Sequence, residues 1–272
     1  MPLSLSPSLL VLIALLGACI GSFLNVVAWR LPRQESIVKP RSHCTRCGTT
    51  LRWFENIPVL SWLLLQGRCR HCGTDISMRY PAVELLCSGL FVAATFSKSQ
   101  ALTGASPLAL LLGGWLLIAL LLPLIMIDLD HLWLPEPICR WGVVLGLVIT
   151  AIAAPKLLLW HLLAASAGLL GFEATSALAE KVLGKPALGL GDAKLAALLG
   201  AWLGLIGLGL SVLLAVFSGA LFGIAGLLSG RLKRGQPFPF GPFLAGGGLA
   251  VWIAGHSFWL NQLSERLGWS AL

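Results

Sequence analysis

Charge is scarce in this sequence. Only 11% of its 272 residues are Asp, Glu, Lys or Arg, where soluble domains carry about a quarter. Residues 1–29, 101–127, 195–230 and 235–264 have none at all. A chain so poor in charge cannot clothe a soluble globule. Each run instead supplies the roughly 20 apolar residues that a helix needs to cross a bilayer. With 57% hydrophobic residues and a mean hydropathy of +0.88, the chain reads as an all-α polytopic membrane protein. No basic residue precedes the first apolar run, and that run continues past Cys19 to Trp29. Both features argue against a cleaved signal segment, although LGAC at 16–19 has the form of a lipoprotein cleavage box. Cys19, Cys87 and Cys139 are expected to be buried helix thiols.

Hydropathy predicts about eight transmembrane helices, near 8–29, 82–98, 104–127, 137–154, 157–179, 192–207, 209–229 and 240–259. The run 195–230 holds 36 uncharged residues, too many for one crossing, and Gly204, Gly207 and Gly209 suggest a tight turn within it. Eight crossings put the segments 30–81, 128–140, 180–194 and 230–236 on one side. Those segments carry sixteen of the nineteen Lys and Arg: nine in the first, then Arg140, Lys181, Lys185, Lys194, Arg231, Lys233 and Arg234. That asymmetry makes the side cytoplasmic. The net charge of +8 is then membrane topology, with attraction to anionic lipid, and calls for no nucleic-acid partner. Three parts follow: a first transmembrane helix at 1–29, a polar cytoplasmic loop at 30–81 and a helical bundle at 82–272.

The loop contains CTRCG (44–48) and CRHCG (69–73), two Cys-x-x-Cys pairs separated by 21 residues, each followed by glycine. In zinc knuckles that glycine lets the backbone bend so that amides point at thiolate sulfur. Cys44, Cys47, Cys69 and Cys72 are the expected ligands of a tetrahedral structural zinc, closed to catalysis. A cytoplasmic loop is reducing, which disfavours disulfides. His43 and His71 are read as solvated neighbours. A 50-residue loop builds little core, so metal supplies much of its folding energy.

Five carboxylates lie in or beside apolar segments: Glu84, Asp128, Asp130, Glu173 and Asp192. Ionisable groups there are costly and face a bundle interior or a water-filled cavity. Asp192 follows Gly189-Leu190-Gly191 at a helix start, where amide donors favour an anion. Capping accounts for the Asp but not for the glycines, which let another backbone come close. Asp128 and Asp130 are two apart on one helix and point to nearly opposite sides, and periodicity does not choose between them. Two carboxylates meeting across helix ends suit aspartyl chemistry, one ionised to draw a proton from water and the other protonated to polarise a carbonyl.

Along nearly its whole length the chain resembles the type IV prepilin peptidases, or leader peptidase/N-methyltransferases, of the GxGD membrane aspartyl proteases. The resemblance is carried by GSFLNVVAWRLP (21–32), the two cysteine pairs, ENIPVLSWL (55–63), RYPAVELL (79–86), IDLDHLWLP (127–135), GLGDAKLAALLGAW (189–202) and PFGPFLA (239–245). It implies that Asp128 and Asp192 are the catalytic pair, with Gly189 and Gly191 giving the substrate backbone access to it. It implies a bacterial inner-membrane enzyme that removes the basic leader of prepilins and pseudopilins after a glycine, at the cytoplasmic face. The same enzymes methylate the exposed amine with S-adenosylmethionine, and Gly67 matches a glycine that the family associates with that transfer. The cysteine tetrad matches as well. Where the family often has Leu-Pro-Asp, this chain has Leu134-Pro135-Glu136.

No GxGxxG or related fingerprint is present, so the methyl-donor site cannot be read from a motif. The alternatives are a peptidase without methyl transfer, a proton-coupled transporter relaying through Asp128, Asp130 and Glu173, or a zinc-dependent scaffold. The transporter lacks inverted halves and paired broken helices in the sequence. Asp192→Asn separates the scaffold, which would survive it, from the protease, which would not.

Overall fold

The computed structural model describes residues 6–184, 189–233, 236 and 238–267. Lys185 and Arg234, two of the basic residues counted above, lie outside them. Among the described residues the chain is helical, and two isolated bridges, His43 to Thr50 and Arg68 to Asp75, stand in place of a sheet. It forms two compact units, Met1–Phe96 and Ser97–Leu272.

The first unit contains α1 (Pro7–Arg30), a short α2 (Leu60–Leu64) and α3 (Arg79–Thr95). Ser6 caps α1, its hydroxyl accepting from the Leu9 amide, and Pro7 takes the first helical position, where no amide is needed. Gly17 and Gly21 form a one-turn pair against α3. A Cβ at Gly17 would stand 2.8 Å from Ser88 Cα, and one at Gly21 would stand 2.9 Å from Glu84 Cα. Small residues at this spacing let the two backbones touch, the usual basis of helix association in lipid. Cys87 is buried in that seam, but Cys19 lies on the exposed face of α1. The expectation of a buried Cys19 is thus corrected: the turn toward α3 is taken by the glycines.

The second unit packs α4 (Pro107–His131), α5 (Glu136–Ala153), α6 (Leu158–Leu183), α7 (Leu190–Leu228), α8 (Gly241–Ala254) and α9 (His256–Leu267). α7 lies between α5, α6 and α8 through small residues. Cβ atoms at Gly168 and Gly200 would strike the Ala196 and Ala164 carbonyls at 2.7 and 2.5 Å, and one at Gly247 would strike Ser211 O at 2.6 Å. Trp202 fills the centre, its indole donating to Gly142 O at 2.9 Å and its ring edge-on to Trp252. Gly200→Val should therefore cost about 1–3 kcal/mol by overpacking, seen as a lower thermal midpoint in detergent.

α7 is broken at Gly204, whose φ of 67° and ψ of −175° no helix accommodates. The break strips carbonyls of their partners one turn earlier. His161 of α6 answers it, Nδ1 lying 2.9 Å from Ala201 O and Nε2 3.0 Å from Ala101 O. The expected turn in 195–230 is therefore a kink at the first of the three glycines, with helix resuming at once.

The span count differs from expectation. Among the described residues, five helices are long and apolar enough to cross a membrane: α1, α4, α5, α6 and α7. The count is six if α8 and α9, bent by 101°, make one crossing. Two places separate this count from eight. The stretches expected as 192–207 and 209–229 are two helices meeting at the Gly204 break, counted together as 39 residues, about 58 Å of rise, and α3 has only 17 residues, about 26 Å against a hydrocarbon core of about 30 Å. The protein is nonetheless an all-helical, multi-pass membrane protein.

Candidate active site and metal centre

Helical phase on α4 separates the two aspartates that the sequence left in competition. Asp128 is buried, 5% exposed, while Asp130 turns outward. Asp128 lies in the last turn of α4, and its Oδ2 accepts the Gly241 amide at 3.0 Å. That amide belongs to the first turn of α8, whose early N–H groups have no helical acceptor. A Cβ at residue 241 would stand 2.6 Å from the same oxygen. Glycine is thus what allows the helix start to close on the carboxylate.

Asp192 occupies the first turn of α7, half-buried, and its Oδ2 accepts the Gly189 amide at 3.2 Å. Gly189 is the extended residue before the helix. Gly191 has a different partner: a Cβ there would lie 3.0 Å from Leu134 Cβ. Leu134, buried in the connection from α4 to α5, also meets position 241 at 3.3 Å. One leucine therefore sits between the glycine beside Asp192 and the glycine that holds Asp128. Leu134 thus brings the two aspartate-bearing turns next to each other. Among the described residues, each has Oδ2 held by a backbone amide, which leaves Oδ1 for water or a carbonyl.

Glu136 pairs with Lys194, two residues beyond Asp192, at 2.8 Å. Both side chains are exposed, so the pair adds little to stability. Lys194→Ala should leave the thermal midpoint nearly unchanged in a melting experiment. Glu173 is exposed on α6, remote in phase from any such arrangement. Glu84 is buried on α3, where it accepts the Val59 amide at 2.7 Å. That contact fixes Val59 at φ 62°, a conformation costly for a β-branched residue.

The four loop cysteines converge. Their sulfur atoms all lie within 4.8 Å of one another, and Cys44 and Cys72 are 3.8 Å apart. A tetrahedral ion with sulfur at about 2.3 Å needs sulfurs about 3.8 Å apart, so the donor set fits zinc in both chemistry and spacing. The two knuckles are copies offset by 25 positions. In the first, the Gly48 amide donates to Cys44 O and the Cys44 amide to Thr49 O, with Gly48 at φ 69°. In the second, Gly73, Cys69 and Thr74 repeat all of this, again with φ 69°. Hydrogen bonds from the side chain and backbone of Thr49 lower the Cys47 thiol to about 6. At Cys72 a Thr74 backbone hydrogen bond also lowers, but desolvation and the other three thiols outweigh it and push that group up to about 11. Crowded sulfurs resist losing all their protons together, a conflict that a dication removes. His43 and His71 stay outside the tetrad, near Arg41 O at 3.1 Å and Glu55 Oε1 at 3.7 Å.

Gly67 precedes the second knuckle at φ 68°, and a Cβ there would stand 2.8 Å from the Trp62 ring. Sequence reasoning missed the Gly241 amide, Leu134 and this contact. The segment PFGPFLA was in view, but no local signal tells that its glycine reaches a carboxylate 113 residues earlier.

Residues 15–98 match the bacterial peptidase A24 N-terminal domain, and residues 115–224, which include Asp128 and Asp192, match the type IV leader peptidase family. A prepilin leader peptidase/N-methyltransferase of Myxococcus xanthus is 42% identical over 228 residues, covering 82% of this chain and 64% of that protein. A type 4 prepilin-like proteins leader peptide-processing enzyme of Escherichia coli is 38% identical, covering 86% of this chain and 90% of its own length. A prepilin leader peptidase/N-methyltransferase of Aeromonas salmonicida is 38% identical, with 89% of each chain covered. No solved structure matches the chain. Identity above a third, sustained over about nine tenths of two of these relatives, means that the chain belongs to the type IV leader peptidase family.

Proposed function

We propose that this protein is a membrane aspartyl endopeptidase that removes the leader of type IV prepilins and pseudopilins, then methylates the new N-terminal amine. The observation that carries the peptidase half is the clamp on the two aspartates. The Gly241 amide holds Asp128, the Gly189 amide holds Asp192, and Leu134 packs against both glycine turns. Carboxylates at close range cannot readily both ionise, so the pair shares a proton. The ionised member takes a proton from water, whose oxygen attacks the scissile carbonyl carbon while the protonated member donates to the carbonyl oxygen. On collapse the C–N bond breaks, and the leaving nitrogen takes up a proton to become the amine.

The methyl half draws on the names of the Myxococcus and Aeromonas relatives. S-adenosylmethionine supplies an electrophilic methyl, with an uncharged thioether left behind. The protein's part is to bind the donor, present the amine and receive the proton that the amine loses. In this reading the four cysteines hold a structural zinc, and the basic segments and a reduced tetrathiolate support a location at the cytoplasmic face of a bacterial inner membrane. Anionic lipid there retains the basic leader, while the substrate's apolar helix stays in the bilayer.

The test is intact-mass spectrometry of a purified prepilin incubated with the detergent-solubilised enzyme and S-adenosylmethionine. Loss of the leader together with gain of one methyl is the expected product. Leader loss with no methyl would remove the transferase half. An unchanged prepilin, with the enzyme folded and metal-loaded, would remove both.

A further inference from the structure

The segment between α1 and α3 is polar in bulk, yet residues 56–67, NIPVLSWLLLQG, have no charge. Within them α2 is built inside out. Leu60, Leu63 and Leu64 share one face, at spacings of three and four, and all are exposed, Leu64 by 83%. The other face turns inward. There the Trp62 indole donates to Ile76 O at 2.9 Å, and the Ser61 hydroxyl donates to Ile57 O at 2.7 Å. In water leucine is buried more often than serine. Single exposed leucines are ordinary, but three on one turn form a patch with a purpose.

The depth of α2 says what covers it. α1 and α3 run antiparallel in a fixed register. A Cβ at Gly17 would meet Ser88 Cα, one at Gly21 would meet Glu84 Cα, and Asn25 Nδ2 donates to Tyr80 O at 3.2 Å. Each turn toward the end of α1 is thus a turn toward the start of α3, and Glu84 stands level with Gly21. Trp29 stands eight residues further along α1, exposed, with the Arg33 guanidinium 3.6 Å from the centre of its ring. A tryptophan under a basic side chain at the end of an apolar span marks the membrane–water interface. Eight residues are about 12 Å of helix. The Glu84 side chain leans toward the start of α3 by up to a turn, and its Oε2 accepts the Val59 amide at 2.7 Å. Val59 immediately precedes α2. The short helix is therefore pinned about 6–12 Å inside the level of Trp29, where headgroups give way to acyl chains. At this depth α3 also presents exposed leucines, Leu85 and Leu86. Charge returns only at Arg68, which pairs with Asp75 at 3.5 Å, both side chains exposed.

The geometry points to α2 as a foot of the knuckle segment set into the bilayer, with Leu60, Leu63 and Leu64 among the acyl chains of the leaflet on the Arg30 side. The partner is lipid. The knuckles are then held to the membrane at three places, the end of α1, the start of α3 and this helix, and cannot swing freely above the surface.

The experiment uses the full-length protein in nanodiscs of phosphatidylethanolamine and phosphatidylglycerol. A nitroxide amino acid, introduced by codon reassignment so that every cysteine stays native, is placed singly at Leu63 and Leu64. Its collisions with oxygen and with a water-soluble nickel chelate are compared. Leu85 on α3 and Val38 in the loop, both exposed, give the lipid and water references. The labels at 63 and 64 should favour oxygen as Leu85 does, at a depth of about 5–10 Å, and Val38 should favour nickel. The wild-type chain is tested in parallel with a phospholipid carrying a diazirine in its acyl chain. Irradiation should insert lipid into the peptide that contains residues 60–64. Labels at 63 and 64 that favour nickel would put α2 in water. Shielding from both reagents would mean that protein, from this chain or a second copy, covers the leucines. Either result, or a wild-type peptide without inserted lipid, overturns the proposal.

Discussion

Asp192→Asn and Asp128→Asn are each expected to reduce leader cleavage by about 10²–10⁴-fold, the contribution of a positioned acid or base. Asparagine keeps the size of the side chain and a carbonyl oxygen that still accepts the Gly189 or Gly241 amide. The helix ends should therefore stay in place, and the thermal midpoint should move little. What is lost is the ability to share a proton. The readout is the rate of leader loss by intact mass, beside a melting curve for each variant. Because the two carboxylates act as one unit, the double variant should be scarcely slower than either single one. Multiplying losses would mean that the two residues act independently, contrary to the proposal. Retention of cleavage in either single variant would exclude the pair and return the helix-cap reading of Asp192.

The second large effect is expected at the metal. Cys69→Ser removes the buried member of the tetrad, and zinc bound by four thiolates supplies on the order of 10–16 kcal/mol of folding free energy in small domains. Metal analysis should find zinc lost, and limited proteolysis should cut within residues 40–76. Removing zinc from the wild-type protein with a strong chelator should give the same pattern, reversed on adding zinc back. If protease resistance survived complete removal of zinc, the tetrad would have no structural role.

Most of the fold was legible because lipid imposes a simple code. Uncharged runs became helices within a few residues of their expected ends, and Ser6-Pro7 and Ser106-Pro107 open their helices with matching caps. The knuckles were legible for a similar reason, since cysteine spacing and a following glycine describe a purely local turn. Failures came where one residue depends on a distant one. Hydropathy does not place the break at Gly204 rather than at Gly207 or Gly209, because it is stabilised by His161 from another helix. Cys19 looked like core because the run around it is apolar on every side. Nothing local says which face meets α3. Periodicity could not separate Asp128 from Asp130, and a helix from the far end of the sequence decides between them.

The hydrogen bond from Gly241 to Asp128 also has a meaning in time. The amide belongs to a residue 113 positions downstream of the carboxylate that it orients. At a synthesis rate of about 5–20 residues per second, Asp128 waits roughly 6–23 s for that partner to be made. Until α8 is made, Asp128 lacks the amide that orients it, so the geometry proposed for cleavage is completed only after the residues around both carboxylates have been synthesised.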